Sequence, residues 1–151
     1  GLEPAGRDGR REVGVGDLEG RPDGPSVRQF VHTLLAWCDG YLDRRMPGAD
    51  SGHEVIARFD EVVAEAESLE ADTVALVSHG AMIRAWCATR TSNVDLDFIK
   101  DHYVANTGIV VVEGSTETGW EVTLWLGQSV SEAAAMGVAS DRSPASEPLD
   151  E

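Results

Sequence analysis

The chain has 151 residues, and its 27 Asp and Glu against 12 Lys and Arg leave a formal charge of −15 at pH 7. That balance argues against a nucleic-acid or anionic-membrane partner, while the length suits one domain with a sizeable core. No apolar run approaches the ~20 residues of a membrane span and no secretory signal is present, so a cytoplasmic location is expected.

The first 25 residues carry seven glycines, Pro4, Pro22, Pro25 and many charges, which predicts a loop, with 11–15 partly extended. The chain opens Gly1-Leu2-Glu3 without a methionine and is expected to be a piece of something longer. Over residues 26–44, Val27, Phe30, Val31, Leu34, Leu35, Cys38 and Leu42 recur at spacings of three and four, the apolar face of a helix of about five turns. Pro25 suits its first turn, Met46-Pro47-Gly48 ends it, and Trp37 and Tyr41 flank the stripe. Ser51-Gly52-His53-Glu54 fits a capping box, and the helix it starts is expected to reach Leu69, with an acidic outer face and His53 on the surface.

Residues 73–77, Thr-Val-Ala-Leu-Val, form a short apolar run that predicts a strand buried on both faces, as in a parallel sheet. Ser78-His79-Gly80 ends it and a helical pattern to about Thr89 follows, with Met82, Ile83, Trp86 and Cys87 inward. Such a strand presents its last side chains at the carboxyl edge of the sheet, and the free amides of the following helix favour an anion. His79 therefore sits beside a phosphate seat, or is simply a histidine at a strand end. Ser92-Asn93 is suited to cap a short helix through Tyr103, and Asn106-Thr107-Gly108 marks a turn. Residues 109–112 and 121–126 predict two strands of a hairpin joined by 114–119 and covered by Trp120 and Trp125. Residues 128–151, rich in Ser, Ala and Glu, are expected to be a disordered tail. Cys38 and Cys87 lie in apolar helical stripes without metal or redox spacing, and are expected to be buried free thiols in a reducing compartment.

Four ordered segments resemble the histidine phosphatase superfamily, in its phosphoglycerate-mutase-like branch. They are Arg11-Glu12-Val13 through Gly16-Asp17-Leu18-Glu19-Gly20-Arg21, Pro47-Gly48-Ala49-Asp50-Ser51 leading into a helix with Arg58, Ser78-His79-Gly80 with Ile83-Arg84, and Asn106-Thr107-Gly108 before the hairpin. The resemblance covers about residues 9–127, leaving 128–151 as the tail. It implies a three-layer α/β/α sandwich with a mostly parallel sheet and a carboxyl-terminal hairpin, incomplete at its amino terminus. It also implies phosphoryl transfer through a phosphohistidine, with no cofactor and no metal. A first histidine in an Arg-His-Gly motif attacks phosphorus, a second histidine and arginines neutralise the phosphoryl oxygens, and a carboxylate protonates the leaving group. Matched by position, His79 resembles the second histidine and Glu12 the proton donor. Gly80, Arg21 and Arg84 are the phosphate-binding candidates, Arg84 being equally suited to a structural ion pair.

The chain departs from that pattern in three places. No Arg-His-Gly triplet occurs in it, and Ala49-Asp50 stands where the family has Gly-Glu. The family's second phosphate-binding arginine, in a Ser-x-x-x-Arg-Ala-type segment upstream of the acid, is absent too. The implied function is phosphomonoester hydrolysis by a parent enzyme whose nucleophile lies before Gly1, the chain alone being inactive or nearly so. The alternatives are a mutase-type phosphotransferase and a non-catalytic interaction module on the same fold. The expected partner is a small phosphorylated molecule, with homo-oligomers arising through an uncovered strand edge. A metal hydrolase using His79 and His102, with Asp101-His102 on a surface turn, is a distant reading, since no helical His pair supports it. A serine hydrolase through Ser78 is disfavoured because Gly-x-Ser-x-Gly is absent.

Overall fold

The computed structural model describes residues 5–20 and 23–136. Helix α1 (Gly24–Cys38) starts at Asp23, whose carboxylate accepts from the Ser26 amide and hydroxyl, with Pro25 in the first turn. It stops well short of residue 44. Gly40 takes φ +92°, and the Gly40 and Tyr41 amides return to the Trp37 and Ala36 carbonyls, a left-handed ending that the apolar spacing out to Leu42 concealed. Trp37, expected at the edge of the stripe, is fully buried and donates its indole N–H to the Arg44 carbonyl at 2.7 Å, whereas Tyr41 is exposed.

Helix α2 (Gly52–Glu67) opens on the expected capping box. The Glu54 amide donates to Ser51 Oγ at 3.3 Å and the Ser51 amide to Glu54 Oε2 at 3.1 Å. It ends at Ser68, so Leu69 lies beyond the helix and is exposed. Gly52 sits directly against Trp37: a Cβ there would lie 2.7 Å from Trp37 Cδ1.

Helix α3 (Gly80–Arg90) is joined to α4 (Leu96–Asp101) by a segment that runs beside the hairpin. The expected cap of α4 at Ser92-Asn93 is corrected, because Asp95 accepts from the Phe98 amide. Asn93 instead copies a strand neighbour, donating to the Val122 carbonyl at 2.7 Å and accepting from the Val122 amide at 2.9 Å. Strands β1 (Val110–Ser115) and β2 (Gly119–Trp125) form an antiparallel hairpin with a bulge between Val111 and Val112. Its strands reach closer to the turn than expected, because the Ser115 hydroxyl closes it by accepting from the Thr118 amide. Trp125 is fully buried and Trp120 is half-buried, edge-on to Trp86.

Residues 130–136, expected within a tail, form α5 (Val130–Met136). Ser129 and Glu132 make a second capping box, each accepting the other's amide, and Ala133 is buried against the rest of the domain. Residues 137–151 lie outside the described residues. Leu34, Trp37, Met46, Val55, Ile56, Met82, Ile99 and Trp125 form the centre of one core between the helices and β2.

The strand expected at 73–77 is corrected. These residues pair with no strand among the described residues, and burial on both faces fails: Val77 is 76% exposed and Val74 36%. A strand is defined by its neighbours, and apolar composition alone provides none. The described residues thus combine helices with a two-stranded antiparallel sheet, consistent with an α/β fold. The parallel pairing among them is the isolated bridge between Thr91 and Trp120.

Candidate active site

Three distant segments meet at the start of α3. His79 is its N-cap residue, extended at φ −121° and ψ 156°, and its exposed side chain makes no capping bond. The first turn of a helix leaves amides without internal partners and carries the positive end of the helix dipole. Glu12 supplies the missing acceptor from outside the helix. Its Oε1 accepts from the Met82 amide at 3.2 Å and from its own neighbour Val13 at 2.9 Å. The carboxylate of Glu12 and the main chain of His79 and Gly80 therefore share one turn.

The loop carrying Glu12 is held through its backbone. Ser78 Oγ donates to the Arg10 carbonyl at 2.7 Å. Arg58 on α2 donates Nη2 to the Arg11 and Glu12 carbonyls at 3.3 and 3.1 Å, and Nη1 to Asp50 at 3.4 Å. The two glycine-bearing loops also interlock. The Asp17 amide donates to the Pro47 carbonyl at 2.8 Å, and a Cβ on Gly16 would collide with that same carbonyl.

Arg84 is one turn further along α3 and fully buried, its Nη2 donating to the Ile99 carbonyl at 2.9 Å. Burial lowers its pKa to about 10, with the Glu12 carboxylate acting against the shift, and a pKa near 10 still leaves the guanidinium charged at neutral pH. Expected at the phosphate, it faces the interior, within electrostatic reach of Glu12. Arg21 lies outside the described residues. Arg10 is half-buried and donates to the Ala5 carbonyl.

His102, expected on a surface turn, is buried. Its ring stacks on Phe98 at 4.0 Å, and its Nδ1 and Nε2 meet the Phe98 and Ala133 carbonyls at 2.6 and 2.9 Å. Among the described residues no group of three or more His, Cys, Asp or Glu side chains is placed to hold a metal ion. His53 is exposed and pairs with Asp43. Cys38 and Cys87 are buried free thiols, each pushed up to about 12 by burial and unsuited to nucleophilic work. No described helix is long and apolar enough to cross a membrane.

The model of the histidine phosphatase superfamily, branch 1, matches residues 1–127. The chain belongs to the histidine phosphatase superfamily. No curated protein and no solved structure matches it. Within this histidine phosphatase domain, the meeting of the Glu12 loop with the start of α3 came from the resemblance, since no local pattern links residues 70 apart. The clamp made by Arg58 was missed as a role, although an arginine on the helix after Pro47-Gly48 was part of the matched pattern.

Proposed function

We propose that this domain supplies the phosphate-holding histidine and the proton donor of a phosphomonoester hydrolase that acts through a phosphohistidine. The observation that carries the reading is the Glu12 carboxylate lodged on the first turn of α3, beside His79. The nucleophile is a histidine outside these 151 residues, in which no Arg-His-Gly triplet occurs. Its segment would pair with residues 73–77, whose exposed Val77 and lack of a ladder partner among the described residues support such a neighbour. Pairing there would extend the fold toward a three-layer sandwich on a mostly parallel sheet.

In the first half-reaction the nucleophilic imidazole nitrogen forms a P–N bond as the ester P–O bond breaks. The leaving oxygen takes a proton from Glu12, carried on Oε2 because Oε1 is occupied by two amides. His79 and the amides about Gly80 bear on the phosphoryl oxygens, where charge grows in the transition state. Water then cleaves the P–N bond and returns a proton to Glu12. Arg84, buried one turn further along α3, adds a positive charge within electrostatic reach of Glu12. Hydrolysis is preferred over mutase chemistry because only Pro47 to Asp50 separate Met46 from the cap of α2, leaving no insertion to grip a second phosphate.

The test is a phosphomonoester assay on the longer gene product that carries the nucleophile. His79→Ala is expected to lower kcat by about 10²–10³, the loss typical of one oxyanion contact. Glu12→Gln should lower kcat/KM on an alkyl phosphate yet leave kcat/KM on p-nitrophenyl phosphate near wild type, because that ratio reports the first half-reaction and this leaving group needs no proton. Unchanged turnover in the His79→Ala enzyme refutes the assignment.

A further inference from the structure

A cleft of about 420 Å³ lies between one face of α1 and the chain that follows that helix, lined by Arg28, Gln29, His32, Thr33, Arg44 and Arg45. Acids outnumber bases by more than two to one in this protein, yet three of its twelve basic residues meet here and no carboxylate lines the cleft. We propose that it is a binding site for a compact polyanion, a small molecule with at least two phosphate-like groups. None of Glu12, His79, Gly80 and Arg84 contributes to it, so it is separate from the proposed hydrolytic site and does not depend on that reading.

Three features favour this occupant. Arg28 and His32 are spaced i and i+4, on one face of α1, so a guanidinium and an imidazole N–H can reach the same small ligand. Arg44 is fixed opposite that face through its main chain, because its carbonyl accepts from the Trp37 indole at 2.7 Å and from the Gly52 amide at 3.1 Å. The backbone positions from which the two arginines extend are thus set by the fold before any ligand arrives. Arg45 is held by Glu54 and the Ala49 carbonyl and forms a wall. Arg28 and Arg44 are exposed, and among the described residues neither pairs with a carboxylate. Two guanidiniums in fork geometry suit phosphate oxygens, and the volume falls in the range of small-molecule sites.

The experiment is a pyrophosphate titration of the chain at constant ionic strength, read by the His32 ring signals in NMR and by calorimetry. Saturable binding is expected, with Kd raised about tenfold or more in the Arg28→Gln/Arg44→Gln variant, as loss of charge-assisted bonds requires. Both residues are exposed, so the variant should melt with the wild type, and His79→Ala should leave the His32 response intact. The proposal is overturned if acetate at equal ionic strength moves His32 equally, or if the double variant keeps its affinity. It also fails if His79→Ala abolishes the response, which would place the anion at α3.

Discussion

Replacing Glu12 by Ala removes the acceptor that the structure provides for the Met82 amide at the start of α3. Loss of a cap typically costs about 1 kcal/mol, and loss of a negative charge at a helix N-terminus about 0.5 kcal/mol. Arg84, buried and charged nearby, also loses a neighbour that favours its charge, so the total should be about 2 kcal/mol. With a urea m-value of about 2 kcal/mol/M, the unfolding midpoint falls by about 1 M. Glu12→Gln keeps an Oε1 acceptor for both amides and forfeits only charge, so its loss should stay under about 1 kcal/mol. Urea unfolding followed by tryptophan fluorescence measures both variants. A Glu12→Ala midpoint equal to wild type would mean that the carboxylate does not cap α3 in solution. The common turn of Glu12 and His79 would then lose its footing, independently of any activity.

Gly52→Ala sets two effects against each other. Ala is favoured over Gly in a helix by up to about 1 kcal/mol, but its Cβ would lie 2.7 Å from Trp37 Cδ1, on a ring that is fully buried and bonded to the Arg44 carbonyl. Overpacking typically costs about 1–3 kcal/mol, so a net loss in urea midpoint is expected; a rise would show that the ring yields. Alkaline stability provides another test. Cys38 and Cys87 have folded-state pKa values raised from 9.0 to about 12, so the unfolded chain loses its thiol protons first and stability falls as pH rises above 9. Arg84, lowered from 12.5 to about 10, works in the opposite sense, and its gain develops only from pH 10 upward. Each thiol ionised only in the unfolded chain costs about 1.4 kcal/mol for every pH step of one, so the net loss between pH 8 and 10 should be roughly 2–3 kcal/mol. The Cys38→Ala/Cys87→Ala variant should show a flat or slightly rising stability over that interval by urea unfolding, and a slope equal to wild type would refute the assignment.

Helices whose ends are written in local chemistry were readable from the sequence. Ser51 and Glu54 announce α2, and Pro25 stands in the first turn of α1. Errors arose where the deciding partner is remote or the signal was outvoted. Periodicity carried α1 through Gly40, although glycine at that point ends the helix. Ser129 and Glu132 spell the same capping box as α2, but the composition around them suggested a tail. His102 lies where α4 ends, and only the docking of α5 makes it interior. The run at 73–77 has strand composition, but whether it belongs to a sheet depends on a neighbour that its own residues cannot specify.

The candidate site was readable to a different degree, for a related reason. Its parts are joined mostly through main-chain atoms: Ser78 to the Arg10 carbonyl, Arg58 to the carbonyls of residues 11 and 12, and Glu12 to the Met82 amide. Backbone partners accept many side chains, so such contacts leave little trace in the identity of the residues they bind. What remains visible is the donor or acceptor end, here Ser78, Arg58 and Glu12, each ordinary in its own segment. The basic cleft is the converse case. It is built from side chains on α1 and on the chain 16 residues beyond Arg28, brought together only because α1 stops at Gly40 and the chain turns back. Had α1 continued to residue 44, Arg44 would lie about 24 Å along the axis from Arg28, at 1.5 Å per residue, and no cleft could form between them. The ending that periodicity concealed is therefore also the feature that brings Arg28, Arg44 and Arg45 of an acidic protein to one cleft.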